Sequence, residues 1–133
     1  MILVDSSVWI DYFRGIKNPH TEHLDDLLAS ADDELGVADL VVFEVLRGFA
    51  SAKAQRHAKA LLLSTTVVEV GGLENALVAA EHYQALRQSG YTIASPIDVL
   101  LASYCITHGH MLLHRDADFD AIETLRGLVV CQH

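Results

Sequence analysis

The chain has 133 residues, 51% of them hydrophobic, and this size predicts a single domain over residues 1–133. No apolar run approaches the roughly 18 residues that a membrane span needs, and no export signal is visible at the start, so we expect a cytoplasmic protein without a membrane partner. The net charge of −9 argues against a basic nucleic-acid-binding surface, because affinity for phosphates normally comes from clustered lysines and arginines.

The first half of the chain alternates between strand-like and helix-like patterns. In order, these are a strand at residues 1–5, helices at 6–13 and 21–31, a strand at 34–37, and helices at 40–49 and 52–63. We expect Ser6 or Ser7 to cap the first helix, and Asp39 to cap the third. Gly15 and Pro19 are expected to separate the first two helices.

The second half continues this alternation. It contains a strand at residues 65–70, helices at 73–88 and 96–108, a strand at 110–114, a helix at 118–125 and a strand at 128–131. Ser95 and Pro96 form a strong helix start, with serine as the cap. Strands that alternate with long helices indicate an α/β protein with a parallel sheet covered on both faces. Cys105 and Cys131 form no CxxC motif and are expected to be buried thiols.

Four carboxylates are placed where such a sheet would bring them together: Asp5, Glu44, Asp98 and Asp116. Asp5 and Asp116 end or follow predicted strands, and ligands of parallel sheets bind beyond the carboxyl ends of the strands. Asp98 falls in the first turn of the helix that begins at Pro96, and the amino end of this helix points to the same edge if the helix leads into the strand at 110–114. Glu44 is a charged residue inside a nearly apolar helix, where burial requires a partner.

Each of these acids has an ordinary structural alternative. Asp98 could simply favour a helix amino terminus, and Asp116 and Asp118 could be turn or cap residues. Glu44 could pair with Arg47 one turn later. One shared site explains all of them at once, and four ligands would account for −4 of the net charge.

Carboxylates without histidine or cysteine ligands favour Mg²⁺ or Mn²⁺, and a metal-activated water hydrolyses phosphodiesters. Arg115, and also Arg14 and Lys17, could hold phosphates, although each could equally be an ordinary exposed charge. A zinc site is the competing interpretation. It would use His20 with His23, or His108 with His110, but neither pair has a second half at structural spacing.

Four segments of the chain resemble PIN-domain ribonucleases, and more narrowly the VapC toxins of bacterial type II toxin–antitoxin pairs. They are MILVDSSVWIDYF at residues 1–13, EVLRG at 44–48, IDVLLA at 97–102 and LLHRDADF at 112–119. The resemblance implies a three-layer α/β/α sandwich with a central parallel sheet of about five strands. It also implies a Mg²⁺- or Mn²⁺-dependent endoribonuclease that cuts RNA and inhibits translation.

By position, the resemblance assigns Asp5, Glu44, Asp98 and Asp116 to the family's acidic quartet, with Asp118 as an additional acid. Ser6 matches the hydroxyl residue that follows the first aspartate. His114 is a departure, because many members carry threonine or serine there, and a histidine could instead donate to a phosphate. These last two residues and Arg115 are therefore the expected substrate contacts.

The resemblance also implies partners. These are an RNA substrate of transfer, ribosomal or messenger type, a second copy of the chain, and a VapB antitoxin that covers the site and binds operator DNA with its other end. Trp9, Tyr12 and Phe13 could stack on bases, although core or dimer packing is expected for most of them.

Two other functions are compatible with the sequence. The first is a catalytically silent module whose acidic pocket only binds an antitoxin segment. The second is a phosphatase of the aspartyl-phosphate type, which would want a second aspartate where Ser7 stands and a lysine near the later acids. The chain's lysines, Lys17, Lys53 and Lys59, all precede residue 60.

Overall fold

The computed structural model of the chain describes residues 1–31 and 34–131. Within these residues the strands are β1 (Ile2–Val4), β2 (Leu35–Ala38), β3 (Thr66–Val68), β4 (Met111–Leu113) and β5 (Val129–Val130). The helices are α1 (Ser6–Phe13), α2 (Pro19–Ala29), α3 (Asp39–Leu46), α4 (Ala52–Leu63), α5 (Leu73–Gln88), α6 (Pro96–His108) and α7 (Asp118–Arg126). Every predicted strand and helix is present, with ends that differ by a few residues.

All strand pairs are parallel, and the strand order is β3-β2-β1-β4-β5. The chain moves outward from β1 to β3 and then returns to the other side of β1 to form β4 and β5. Helix α1 contacts both α2 and α3, and α3 contacts α4, whereas α5, α6 and α7 contact one another. The predicted α/β/α sandwich with about five parallel strands is therefore confirmed.

Two expected helix caps are wrong. The cap of α1 is Asp5, whose side chain accepts a hydrogen bond from the Ser7 amide, so neither Ser6 nor Ser7 fills that position. Helix α3 begins at Asp39 rather than after it, and its cap residue is Ala38. The Asp39 carboxylate instead accepts the Val70 amide at 2.8 Å and thereby joins α3 to the segment after β3.

Two further helices, α2 and α6, begin with proline. Pro19 begins α2 instead of only breaking α1, and Asn18 caps this helix through a reciprocal pair of hydrogen bonds with Thr21. Pro96 begins α6 as expected. Ser95 occupies the cap position, but its side chain makes no capping hydrogen bond.

The core lies on both faces of the sheet. Its largest fully buried side chains include Trp9 of α1 and Phe119 of α7, which come from the two opposite helical groups. Trp9 is therefore a core residue rather than an exposed surface for bases. Both cysteine thiols are free and buried, as expected. No described helix is long and apolar enough to cross a membrane.

Candidate active site

The site lies at the carboxyl ends of the two central strands. Val4 of β1 pairs with Leu113 of β4, and the Asp5 amide donates to the Leu113 carbonyl at 2.9 Å. Asp5 and His114 therefore leave the sheet side by side. The strand order changes direction between β1 and β4, and this is where parallel α/β sheets bind their ligands.

Three carboxylates converge at this edge. Asp98, Asp116 and Asp118 each offer an oxygen atom, and these atoms lie within 4.8 Å of one another. Asp98 is only 4% exposed and is held by the first turn of α6. Asp116 belongs to the short connection between β4 and α7, and Asp118 is the first residue of α7, whose amide donates to Oδ1 of Asp116 at 3.0 Å. Asp118, assigned only as an additional acid by its position, is thus a full member of this group.

The remaining two acids, Asp5 and Glu44, lie near enough to Asp98 to affect its pKa. Burial, together with the negative charges of Asp5, Asp116, Glu44 and Asp118, raises the pKa of Asp98 to about 8. Such an effect requires all four carboxylates to lie near Asp98. The structure therefore gathers the five predicted acids, although Asp5 and Glu44 are outside the tight group of three.

Asp5 is held in a fixed orientation, but only one of its two carboxylate oxygens accepts hydrogen bonds from the described residues. Its Oδ2 accepts the Ser7 hydroxyl at 2.6 Å and the Ser7 amide at 3.2 Å. Its buried Oδ1 has no hydrogen-bond partner among the described residues. Burial raises the pKa of Asp5, and the nearby Asp116 adds to that increase against the lowering effect of the Ser7 hydrogen bonds.

Glu44 projects from α3 toward the same acids. Its Oε1 is buried and has no hydrogen-bond partner among the described residues. Burial raises the pKa of Glu44, as does the charge of Asp5, while a Ser6 hydrogen bond and the Arg47 charge lower it. The Arg47 guanidinium lies over the Phe43 ring at 5.6 Å, and the described residues include no Glu44–Arg47 ion pair. Internal pairing therefore does not account for this carboxylate.

These observations fit a divalent cation. Buried carboxylates that repel one another are costly unless a positive charge compensates them, and two of their oxygens lack a donor. An all-oxygen donor set suits Mg²⁺ or Mn²⁺ rather than zinc. Neither predicted histidine pair belongs to a described group of three or more metal-binding side chains. The zinc interpretation therefore gains no support.

Two residues around the acids escaped the sequence reasoning. The Ser7 hydroxyl donates to Asp5 and also accepts the Arg115 amide at 3.3 Å. Asp11 is buried and accepts Nε of Arg115 at 2.7 Å. Ser7 and Asp11 lie one turn apart on a helix that begins beside Asp5, so they share one of its faces. This four-residue spacing, which is visible in the sequence, could have indicated that both residues lie near Asp5.

His114 follows β4 next to the acids. Its Nδ1 accepts the Asp116 amide at 3.2 Å, and its ring packs on Phe119 with centroids 4.8 Å apart. Burial lowers the pKa of His114 more than the surrounding carboxylates raise it. A neutral ring that accepts at Nδ1 carries its hydrogen on Nε2, so one donor is left for another group.

The remaining residues that were expected to contact the substrate or its phosphates have different surroundings. Ser6 lies close enough to Glu44 to lower the pKa of that carboxyl, so it borders an acid of the site. Arg14 and Lys17 are exposed beyond the end of α1. The Arg115 side chain is half-exposed, but Asp11 restrains its Nε.

Comparison with known proteins agrees with this geometry. The PIN domain family model matches residues 2–125, so the chain belongs to the PIN domain family. Within that family it is 30% identical over 128 residues to Ribonuclease VapC11 of Mycobacterium tuberculosis and to a VapC ribonuclease of Mycobacterium bovis, with 96% of each chain covered.

Solved structures share the fold. VapBC2 from Rickettsia felis, bound to a promoter DNA fragment, has a TM-score of 0.78 at 16% identity over 98% of both chains. Mycobacterium tuberculosis VapC20, described as a sarcin–ricin loop cleaving toxin, has a TM-score of 0.67 at 20% identity. That match covers 91% of this chain and 94% of VapC20.

Proposed function

We propose that this chain is the toxin of a type II toxin–antitoxin system, a Mg²⁺- or Mn²⁺-dependent endoribonuclease whose RNA cleavage inhibits translation. The observation that carries the proposal is the convergence of Asp98, Asp116 and Asp118 within 4.8 Å, beside the unpartnered oxygens of Asp5 and Glu44. The VapC ribonucleases to which it is 30% identical supply the reaction class.

In this proposal Asp98, Asp116 and Asp118 hold the cation, with Asp5 and Glu44 completing the site directly or through water. When bound, the cation lowers the pKa of water and stabilises the charge that develops on the phosphodiester. Ser7 holds Asp5 by hydrogen bonding to Oδ2, and Oδ1 has no partner among the described residues. Ser6 lies beside Glu44 and lowers the pKa of its carboxyl.

We assign the substrate contacts to two hydrogen-bond donors next to the acids, the neutral His114 and the cationic Arg115. Nε2 of His114 is free to donate to a phosphate oxygen, because Nδ1 is occupied by the Asp116 amide. Arg115 is held at Nε, so its two terminal nitrogens are the groups that can face RNA. The site needs no protein nucleophile, because water is the attacking group.

Incubation of purified protein with total RNA tests this activity. We expect cleavage with Mg²⁺ or Mn²⁺, none with EDTA, and a loss of at least about a hundredfold in Asp98→Asn. The matched control is Asp26→Asn, which removes an exposed carboxylate from α2 and should cleave normally. Undiminished cleavage by Asp98→Asn contradicts the proposed site. Absence of cleavage, combined with EDTA-resistant binding of an antitoxin segment, would instead support the silent binding module.

The partners belong to the same proposal. We expect a homodimer and a VapB-type antitoxin that covers the acids and connects the complex to operator DNA, since several structural neighbours are VapBC complexes. Exposed apolar side chains available for such contacts include Leu73 and Leu77 of α5 and Phe43 of α3. The cytoplasmic location and the single domain over residues 1–133 also stay predictions.

Copurification tests the partners. Coexpression with the small protein encoded next to the toxin should give a stable complex in which RNA cleavage is suppressed. Light scattering of the isolated chain should give the mass of a dimer. A monomer at micromolar concentration would contradict the homodimer without affecting the proposed chemistry.

A further inference from the structure

A cavity of about 250 Å³ opens directly beside Asp118. It lies between α7 and the loop that connects α5 to α6, from which Tyr91, Thr92 and Ile93 line it. Tyr91 is 49% exposed, and its amide donates to the Leu86 carbonyl at 2.9 Å, which fixes the backbone from which the ring projects. The cavity therefore borders the acidic site through Asp118 and has an aromatic side chain on one wall.

The opposite wall is recessed because α7 presents small residues there. Ala117, Ala121 and Thr124 recur at helical spacing along the face that lines the cavity. Two bulky residues of the same helix, Phe119 and Ile122, are 0% and 1% exposed and pack into the core. Helix α7 thus anchors itself with one face and leaves space on the other.

The charge of the lining excludes phosphate as the occupant. Among the described residues that form it there is no lysine or arginine, whereas Asp118 and Asp120 are carboxylates. A phosphate would be repelled, but a nucleobase is uncharged and carries N–H donors that a carboxylate accepts. Base recognition in single-stranded RNA combines such hydrogen bonds with stacking on aromatic side chains.

We propose that this cavity binds the nucleobase of a nucleotide adjacent to the scissile phosphate, with Tyr91 stacking on the base and Asp120 accepting its donors. Guanine is the favoured base, because its adjacent N1–H and amino group match the two oxygens of one carboxylate. Uracil offers a single ring donor and no amino group, so it should bind least well. The inference rests on the proposed function for the identity of the substrate, but the base-binding step itself requires no cleavage.

Titration of the metal-free protein with nucleosides tests the cavity separately from catalysis. In ¹H–¹⁵N spectra, guanosine should shift the amides of residues 91–93 and 117–124, and uridine should shift them much less. Tyr91→Ala should weaken guanosine binding by about fivefold or more, the loss expected for one base–aromatic stack. Tyr91→Phe keeps the ring and should bind as the unmodified chain does. Asp120→Asn should lose the preference for guanosine over adenosine.

Failure of the inference differs from failure of the proposed function. If no nucleoside shifts these amides, the base site is wrong even where RNA is cleaved. If RNA is not cleaved but guanosine binds as described, the ribonuclease proposal fails and the base site stands. A response to an arginine-bearing peptide, with none to guanosine, would overturn the inference and identify the cavity as a docking point for a protein partner.

Cleavage of an RNA pool with randomised sequence gives the second readout. The unmodified chain and Tyr91→Phe should share a preference for guanine at one position next to the cut. Tyr91→Ala should cut with that preference flattened, because the metal-binding acids are untouched. An identical base preference in Tyr91→Ala would contradict the assignment.

Discussion

The Nε atom of Arg115 donates a hydrogen bond to Oδ2 of Asp11 over 2.7 Å, and this ion pair connects the loop after β4 to helix α1. Asp11 is 6% exposed and also accepts Nδ2 of Asn18 at 3.3 Å. The Arg115 amide donates to the Ser7 hydroxyl at 3.3 Å. Asp116 therefore follows a residue that is held by both its backbone and its side chain.

We expect Asp11→Asn to weaken metal binding although Asp11 is not in the group of converging acids. Asparagine keeps the size of the side chain but removes its charge, so the loop that presents Asp116 is less restrained. Mn²⁺ affinity should fall by roughly tenfold, as is typical for groups that orient metal ligands. Isothermal titration calorimetry measures this affinity. Asp26→Asn on α2 is the control, and equal affinities in the two variants would contradict the role.

The ion pair between Asp11 and Arg115 also predicts that substitutions of the two residues have non-additive effects on Mn²⁺ affinity. Arg115→Gln should lower the Mn²⁺ affinity to a similar degree, and adding Asp11→Asn to it should cause little further loss, because both changes break one interaction. Fully additive losses in the double variant would mean that the two residues act independently.

A second prediction separates Asp118 from its neighbour Asp120. Asp118→Asn should lower Mn²⁺ affinity by at least about tenfold, as Asp116→Asn should, because each removes a converging carboxylate. Asp120→Asn should leave the affinity unchanged, since Asp120 is exposed and lies outside the converging group. If the two α7 variants behave alike, a general field of negative charge rather than direct ligation would explain metal binding.

The third prediction concerns pH. The folded state raises the pKa of Asp98 from 3.8 to about 8, so between these values the folded chain holds a proton that the unfolded chain has released. The metal-free protein should therefore lose stability as pH rises through this interval. A bound cation replaces the proton, so stabilisation by Mn²⁺ should increase with pH over the same range.

Thermal unfolding in EDTA and in Mn²⁺ measures both effects. The gap between the two melting temperatures should widen from about pH 5 to about pH 8, and it should widen less in Asp98→Asn. A gap that is constant across this range would show that Asp98 does not exchange a proton for the metal.

The fourth prediction uses a buried histidine remote from the acids. Nδ1 of His82 in α5 accepts Nε of Arg126 in α7 at 2.9 Å. Burial lowers the pKa of His82 below 6.5, and the Arg126 charge lowers it further. In the pH range below 6.5 the unfolded chain binds the proton more readily, so acidification through this range should destabilise the fold.

His82→Gln should reduce this acid sensitivity, because glutamine can accept the same hydrogen bond without titrating. Urea unfolding at about pH 5 and pH 7 compares the two chains, and the difference in unfolding free energy between these values should be smaller in the variant. Mn²⁺-dependent cleavage at pH 7 should be unchanged. Equal pH dependence in both chains would remove His82 as the source.

The local pattern of apolar and polar residues in the sequence was sufficient to predict the architecture. The alternation of apolar strands with amphipathic helices predicted the parallel sheet, since side-chain periodicity reflects which face is buried. It also placed Asp5 and Asp116 at the carboxyl ends of strands that prove to be adjacent. The cap positions were less predictable, because serine and aspartate compete for them and tertiary contacts decide the outcome, as the Asp39–Val70 hydrogen bond shows.

By itself, the sequence determined the fold class, the element order and which carboxylates face the central strand ends. Only the tertiary structure decided how these acids divide, with Asp98, Asp116 and Asp118 in direct convergence and Asp5 and Glu44 beside them. It also decided the pairing of Asp11 with Arg115, which lie 104 residues apart. Local pattern reports burial and periodicity, whereas distances between side chains depend on the packing of helices that the chain brings together only on folding.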